Sequence, residues 1–121
     1  MKKKKRKATE RRVYGVTILK SSHSRIRGLK VDHEPEIHGD KFWNSSFLIM
    51  DYLQHQGLPK KPKVMEVGCG WGLAAIYCAK EHGAEVTGVD ADSKVFPYLH
   101  LHAEINEVAV RTRRSLFQDL K

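Results

Sequence analysis

The chain has 121 residues, a formal net charge of +8 and 40% hydrophobic residues. This length allows one domain at most, because about 150 residues per domain is the usual prior. No apolar run approaches the roughly 18 residues of a membrane span, and the N-terminus is too charged for the hydrophobic part of a signal peptide. The two cysteines indicate small buried side chains rather than a disulfide framework. We therefore expect a reduced, cytoplasmic protein with no membrane partner.

The positive charge is concentrated at the N-terminus. Residues 1–30 hold 12 Lys/Arg against one acid, whereas residues 31–121 hold 10 Lys/Arg against 13 acids. Residues 1–12 cannot bury apolar surface and are predicted to form a disordered basic arm. The run Lys2–Lys7 also fits a nuclear-localisation pattern. A basic segment over residues 1–30 is able to bind nucleic acid or an acidic protein surface, and a solvated tail is the alternative.

Residues 13–40 are predicted to form a hairpin and a connector. Val13–Leu19 and Arg25–Val31 are rich in β-branched residues and predict two strands separated by a polar turn. This hairpin would cover the edge of the main sheet or carry substrate contacts. The connector His33–Asp40 contains histidines and acids, but not at the compact spacings of metal ligands, so we predict an exposed loop and no metal site.

Residues 41–57 are predicted to form a helix that packs on the sheet. Trp43, Phe47, Met50 and Gln54 recur at helical spacing, and Gly57 and the prolines after it end the helix.

The stretch Val64–Gly72 reads as a strand that ends near Glu66, a tight glycine turn and the start of a helix. Its third glycine, Gly72, comes one residue too early for the dinucleotide fingerprint G-x-G-x-x-G. A second strand, Ala84–Asp90, ends in an acid that follows Gly72 by 18 residues (90 − 72). Such an acid is suited to the hydroxyl groups of a ribose.

The remaining chain completes a βαβαβ unit over residues 63–121. A helix with Pro97 in its first turn carries a packed stripe, and Val108–Arg114 is predicted to be the third strand. Right-handed crossovers would place the three strands in the order 3-2-1, with the glycine-bearing strand at an edge. The packed stripe comprises Val95, Leu99, His102 and Asn106.

Glu66, Gly68, Gly70, Gly72 and Asp90 together resemble the E/D-x-G-x-G-x-G motif and following acid of class I S-adenosylmethionine (SAM) dependent methyltransferases. The resemblance implies an α/β, Rossmann-like methyltransferase fold, truncated after the third parallel strand and preceded by a β-hairpin and a helix. It also implies SAM as cofactor. Methyl transfer needs alignment more than acid or base chemistry, and the sequence shows no catalytic dyad or triad, so the catalytic residues stay unassigned.

The same resemblance implies a role for each candidate residue. The three glycines of the turn would approach the amino-acid moiety of SAM, with Cys69 between them, and Glu66 would organise the turn or accept a hydrogen bond from the cofactor amine. Asp90, followed by Ala91, would hold the ribose hydroxyls. Asp119, in the loop after the third strand, is a candidate acceptor for the adenine amino group.

The segment Gly39-x-x-Phe42-Trp43, ahead of V-x-E-x-G-C-G-x-G-L, is similar to a pattern of the protein lysine methyltransferases. This narrower resemblance implies a protein lysine as substrate and places Trp43 near the methionine end of the cofactor. RNA, DNA or a small molecule is the alternative substrate, and a non-catalytic binding module with a basic arm is the alternative function. The strands that complete the fold would come from the rest of a longer chain or from a partner.

Overall fold

The computed structural model describes residues 9–33 and 43–120, with the side chains of 43 and 44 excepted. The predicted connector after His33 and residues 1–8 of the basic arm lie outside the described residues. A two-stranded antiparallel sheet precedes a three-stranded parallel sheet with its helices. In chain order the elements are β1 (Glu10–Val13), β2 (Val16–Leu19), α1 (Ser24–Asp32), α2 (Trp43–Gln56), β3 (Lys63–Val67), α3 (Leu73–His82), β4 (Glu85–Asp90), α4 (Phe96–Ile105) and β5 (Arg111–Arg114).

The parallel sheet has the order β3-β4-β5, with β3 at an edge, as predicted. Glu66 lies opposite Gly88, and Asp90 lies opposite Arg114. Because these strands are parallel, the glycine turn after β3 and the acid that ends β4 lie close together at the carboxyl ends of the two strands.

Helices α3 and α4 pack with α2 in one hydrophobic core, in which Tyr77, Ile76 and Leu99 are fully buried. Gly83 ends α3 with a left-handed φ of 62°. Asp92 accepts a hydrogen bond from the Lys94 N–H in the short turn that leads into α4. All four residues of the stripe predicted for α4 are buried.

A hairpin is present, but its strands are not the predicted pair, because only Val16–Leu19 lies within a predicted strand. The chain turns at Tyr14 and Gly15, whose φ angles are 50° and 84°, so β1 and β2 are separated by only two residues. Glu10–Val13 therefore forms a strand although residues 10–12 were predicted to be disordered. The predicted second strand, Arg25–Val31, lies instead in helix α1.

Tertiary packing explains why residues 25–31 form a helix. Ile26 is fully buried in a cluster with Leu19, Trp71 and Tyr98, whereas the β-branched Val31 is 80% exposed. His23 caps the helix by accepting a hydrogen bond from the Arg25 N–H at 3.1 Å. A single buried anchor and a cap thus outweigh the strand preference of the β-branched residues.

The hairpin packs over helices and not along the edge of the main sheet. The Tyr14 hydroxyl donates a hydrogen bond to Asp51 of α2 at 2.8 Å, and the Lys80 ammonium of α3 donates one to the Gly15 carbonyl at 2.7 Å. The Arg11 guanidinium lies 5.2 Å from the centre of the Phe47 ring. In the described part of the chain, no helix is long and apolar enough to cross a membrane.

Candidate cofactor-binding site

The turn between β3 and α3 depends on glycines for two different reasons. Gly68, Gly70 and Gly72 all have positive φ, at 71°, 53° and 76°. A side chain at Gly68 would meet open space, so this glycine leaves room above the end of β3. A side chain at Gly72 would lie 2.6 Å from Leu99 Cγ, so this glycine permits α4 to pack against the turn. The approach to a cofactor that the sequence predicts for all three glycines stays a prediction, for which Gly68 leaves room, while Gly72 borders Leu99.

Asp90 is joined directly to the glycine turn. Its Oδ2 accepts a hydrogen bond from the Gly70 N–H at 3.0 Å, and its Oδ1 accepts one from the Asp92 N–H at 3.0 Å. The Gly68 and Cys69 N–H groups both donate to the Val89 carbonyl, at 2.8 and 3.0 Å. Each carboxylate oxygen can accept more than one hydrogen bond, so Asp90 keeps acceptor capacity while its orientation is fixed.

Glu66 lies beneath the turn, in the last part of β3. Its Oε1 accepts a hydrogen bond from the Ala75 N–H at 3.0 Å and so links β3 to the first turn of α3. Burial raises the pKa of this carboxyl from 4.5 to about 7; the charge of Asp90 adds to the increase, and the hydrogen bond from Ala75 opposes it. A cation placed beside Glu66 would favour its ionised form.

A pocket of about 380 Å³ opens beside these residues, between α2, β3 and α3. Glu66 and Gly68 line it on one side, and Ser45, Ser46 and Ile49 of α2 line it on the other. Helix α2 begins at Trp43, so the segment that carries this tryptophan lies beside the turn. The Trp43 side chain lies outside the described ones, and its contact with a cofactor stays a prediction.

Three other predicted residues lie around this edge of the sheet without a shown role. The Cys69 side chain is buried against Gly88, where an added Cβ would lie 3.0 Å from its sulfur, and burial raises the pKa of the thiol. Ala91 is exposed directly after Asp90. Asp119 is exposed in the turn Phe117–Asp119 after β5. Their contacts with a cofactor stay predictions.

Sequence reasoning missed an aromatic stack formed by Trp71, Tyr98 and His102. The Trp71 ring lies 5.1 Å from the Tyr98 ring at an interplanar angle of 1°, and 5.5 Å from the His102 ring at 29°. The available signal was His102 itself, because a histidine on a buried stripe requires hydrogen-bond partners.

Among the described residues, no group of three or more His, Cys, Asp or Glu is arranged to hold a metal ion.

A glycine turn between a parallel strand and a helix, tied to an acid at the end of the neighbouring strand, is the arrangement of a Rossmann-like fold, which class I SAM-dependent methyltransferases also have. Residues 64–121, just under half of the chain, match the family model described as a methyltransferase domain.

Curated relatives are similar over 60% of the chain. A ubiquinone biosynthesis O-methyltransferase from Actinobacillus pleuropneumoniae is 36% identical over 74 residues, which are 60% of this chain and 31% of that protein. The corresponding enzyme from Alkalilimnicola ehrlichii is 38% identical over 74 residues, or 60% and 30% of the two chains. The chain thus spans about a third of the length of these relatives. They support the methyltransferase class but not the narrower resemblance to protein lysine methyltransferases.

Solved structures share the fold. A tRNA (uracil-54, C5)-methyltransferase from Pyrococcus abyssi, in complex with S-adenosyl-L-homocysteine, matches with a TM-score of 0.62 and 16% identity over 93% of this chain and 24% of that one. An RNA methyltransferase from Salinibacter ruber, in complex with the same compound, matches with a TM-score of 0.55 and 21% identity over 60% of this chain and 49% of that one.

Proposed function

We propose that this chain binds SAM and forms the cofactor-binding half of a methyltransferase. The observation that carries the proposal is the hydrogen bond from the Gly70 N–H to Asp90, which joins the glycine turn to the acid of the neighbouring strand. The SAM-dependent class of the fold and the complexes of two neighbours with S-adenosyl-L-homocysteine support it.

The residues present fit this cofactor. The open space at Gly68 would admit the amino-acid moiety, Glu66 would face its ammonium group, and Asp90 would accept hydrogen bonds from the ribose hydroxyls. When bound, SAM supplies a methyl group activated by a positively charged sulfur. The chain itself has to orient this cofactor and exclude water on the side of α2, and neither task needs an acid or a base.

The methyl acceptor is the less determined part of the proposal. We propose a protein lysine, on the pattern that ends in Phe42-Trp43. A small-molecule hydroxyl group is the competing candidate, since the curated relatives are named as ubiquinone biosynthesis O-methyltransferases. Their similarity covers about a third of their own length, so their acceptor is carried over to this chain only as a candidate.

Two partners follow from the surface of the molecule. Residues 1–30 would bind a polyanion such as RNA, because they carry an excess of eleven positive charges. The free edge of β3 would pair with a further strand from a longer chain or from a partner. Met65 and Val67 of that strand are 51% and 45% exposed, and Tyr52 of α2 is 63% exposed.

Calorimetric titration of SAM into the chain tests the cofactor proposal. We expect saturable binding that Asp90→Ala weakens, while Asp32→Ala, which removes an exposed carboxylate at the end of α1, leaves the affinity unchanged. Absence of binding to the wild-type chain would refute the proposal. Incubation with methyl-labelled SAM and separate samples of lysine-rich protein, RNA and phenolic compounds then identifies the acceptor. Label on the phenols alone would refute the lysine candidate.

A further inference from the structure

We infer that His102 is a positioning residue for the glycine turn Gly68–Gly72, here called the cofactor turn. Through His102, residues 9–33, here called the N-terminal unit, form part of the cofactor-binding machinery. The inference rests on the proposed function, because it concerns the affinity of the same turn for SAM. No residue of the N-terminal unit lines the pocket beside Glu66, so its influence would be transmitted through the aromatic stack.

The His102 ring is held rigidly between the N-terminal unit and its own helix. The Leu19 N–H of β2 donates a hydrogen bond to Nε2 at 3.0 Å, and Nδ1 lies 2.8 Å from the Tyr98 carbonyl. The ring is therefore neutral, with its proton on Nδ1. His102 has no exposed surface, and its two hydrogen bonds fix the ring plane on which Trp71 lies.

Trp71 connects the fixed His102 ring to the cofactor turn. It lies between Gly70 and Gly72, two residues with positive φ and no side chain to restrain them. Its own side chain is 4% exposed and stacks on Tyr98 and His102. A glycine turn without such an anchor would lose conformational entropy when a ligand binds, and a turn fixed beforehand avoids that cost.

The stack also holds the middle and the C-terminal end of the N-terminal unit. Leu19 and Ile26 belong to the same buried cluster as Trp71 and Tyr98. The Tyr98 hydroxyl donates a hydrogen bond to the His33 carbonyl at 2.8 Å, at the point where α1 ends. A disturbance of the N-terminal unit that displaces the His102 ring would therefore reach the cofactor turn, whereas one that leaves the ring in place would not.

Asn106 supplies a matched comparison. It also joins α4 to β2, since its side chain accepts a hydrogen bond from the Thr17 N–H and donates one to the Thr17 carbonyl. It is not part of the aromatic stack. Loss of Asn106 should weaken the attachment of the hairpin, whereas loss of the His102 ring should weaken that attachment and release Trp71.

The test compares His102→Gln and Asn106→Ala in the full chain, at a temperature at which thermal melts show both to be folded. Glutamine retains an acceptor for the Leu19 N–H but removes the ring. We expect His102→Gln to weaken SAM binding about tenfold in calorimetry and Asn106→Ala to leave it within about twofold. Fluorescence supplies a second readout in a Trp43→Phe background, where Trp71 is the remaining tryptophan. The emission of Trp71 should shift when His102→Gln is added to this background and should stay unchanged when Asn106→Ala is added.

The outcomes separate this inference from the proposed function. Wild-type chain that fails to bind SAM refutes the proposed function. Wild-type chain that binds, together with an unchanged affinity in His102→Gln, overturns the positioning role alone. Equal losses of affinity in His102→Gln and Asn106→Ala also overturn it, because they would mean that the ring adds nothing to general support of the fold.

Discussion

Replacement of Glu66 by glutamine should stabilise the free protein at alkaline pH and weaken cofactor binding at the same time. Glutamine keeps an oxygen that accepts the hydrogen bond from the Ala75 N–H, so the change removes the charge and little else. The folded wild-type protein holds a proton on Glu66 up to a pH of about 7, whereas an unfolded chain releases it near 4.5. The wild-type free energy of unfolding therefore contains a contribution that is complete below pH 4.5 and is lost as pH rises through 7.

The size of this contribution follows from the difference between the two pKa values, 4.5 and about 7. At 1.36 kcal/mol for each pKa unit, the contribution amounts to about 3 kcal/mol below pH 4.5 and is absent above pH 8, so Glu66→Gln should match the wild type below pH 4.5 and exceed its free energy of unfolding by about 3 kcal/mol above pH 8. Urea unfolding of wild-type and Glu66→Gln proteins between pH 4.5 and 8 measures it directly. Glu107→Gln, an exposed glutamate after α4, controls for the loss of one negative charge.

Cofactor binding should also change the protonation of Glu66. The ammonium group of SAM favours the ionised form of Glu66, so binding at pH 6.5 should release most of one proton and should tighten towards pH 8. Calorimetry in two buffers of different ionisation enthalpy detects this release, which should vanish in Glu66→Gln. A stability difference between the two proteins that stays flat from pH 4.5 to 8 would refute the reasoning, since Glu66 would then ionise in the folded and unfolded states alike.

Three further results are expected. Asp90→Asn should weaken SAM binding about 10- to 100-fold in calorimetry, because its acceptor pair is lost, and an unchanged affinity would contradict the assignment to ribose. Gly72→Ala should lower the free energy of unfolding by about 3 kcal/mol because its Cβ would strike Leu99, while Gly57→Ala, with a similar φ of 75° and open surroundings, should cost only about 1 kcal/mol. Burial lowers the pKa of His102, so its contribution to stability is present above about pH 6.5 and is lost as pH falls below it. Acid unfolding should therefore shift to lower pH in His102→Gln, and coincident acid transitions would exclude the histidine as the cause.

The parts of the fold that sequence predicted well depend on contacts between residues close in the chain. The strand, glycine turn and helix around Gly68 follow from β-branched residues and from backbone angles that glycine alone adopts readily. The glycine that ends α3, Gly83, and the hydrogen bond from the Lys94 N–H to Asp92 before α4 are local in the same sense. The interval between Gly72 and Asp90 is the length of one helix and one strand, and this length alone is enough to bring the turn and the acid together.

The parts that sequence could not predict depend on distant partners. Arg25–Val31 has the composition of a strand, and nothing within it shows that Ile26 will be buried against Trp71 and Tyr98, which lie much further along the chain. The position of the hairpin also depends on distant partners. The turn at Tyr14 and Gly15 sets its register locally, but the hydrogen bonds that hold it in place are made with Asp51 and Lys80, which lie 37 and 65 residues further along the chain.

The glycine turn itself shows that glycines of one motif can lie in different surroundings. Gly68 and Gly72 are indistinguishable in the pattern, yet one borders open space and the other borders the side chain of Leu99. Ligand approach and helix packing both require the absence of a Cβ, so the sequence records the requirement without its cause. This distinction has a consequence for Trp71, which lies beside Gly72. If the third glycine exists to admit α4, then the stack that α4 forms with Trp71 helps to fix the turn, and we expect the affinity of the turn for SAM to depend on a helix that does not line the pocket beside Glu66.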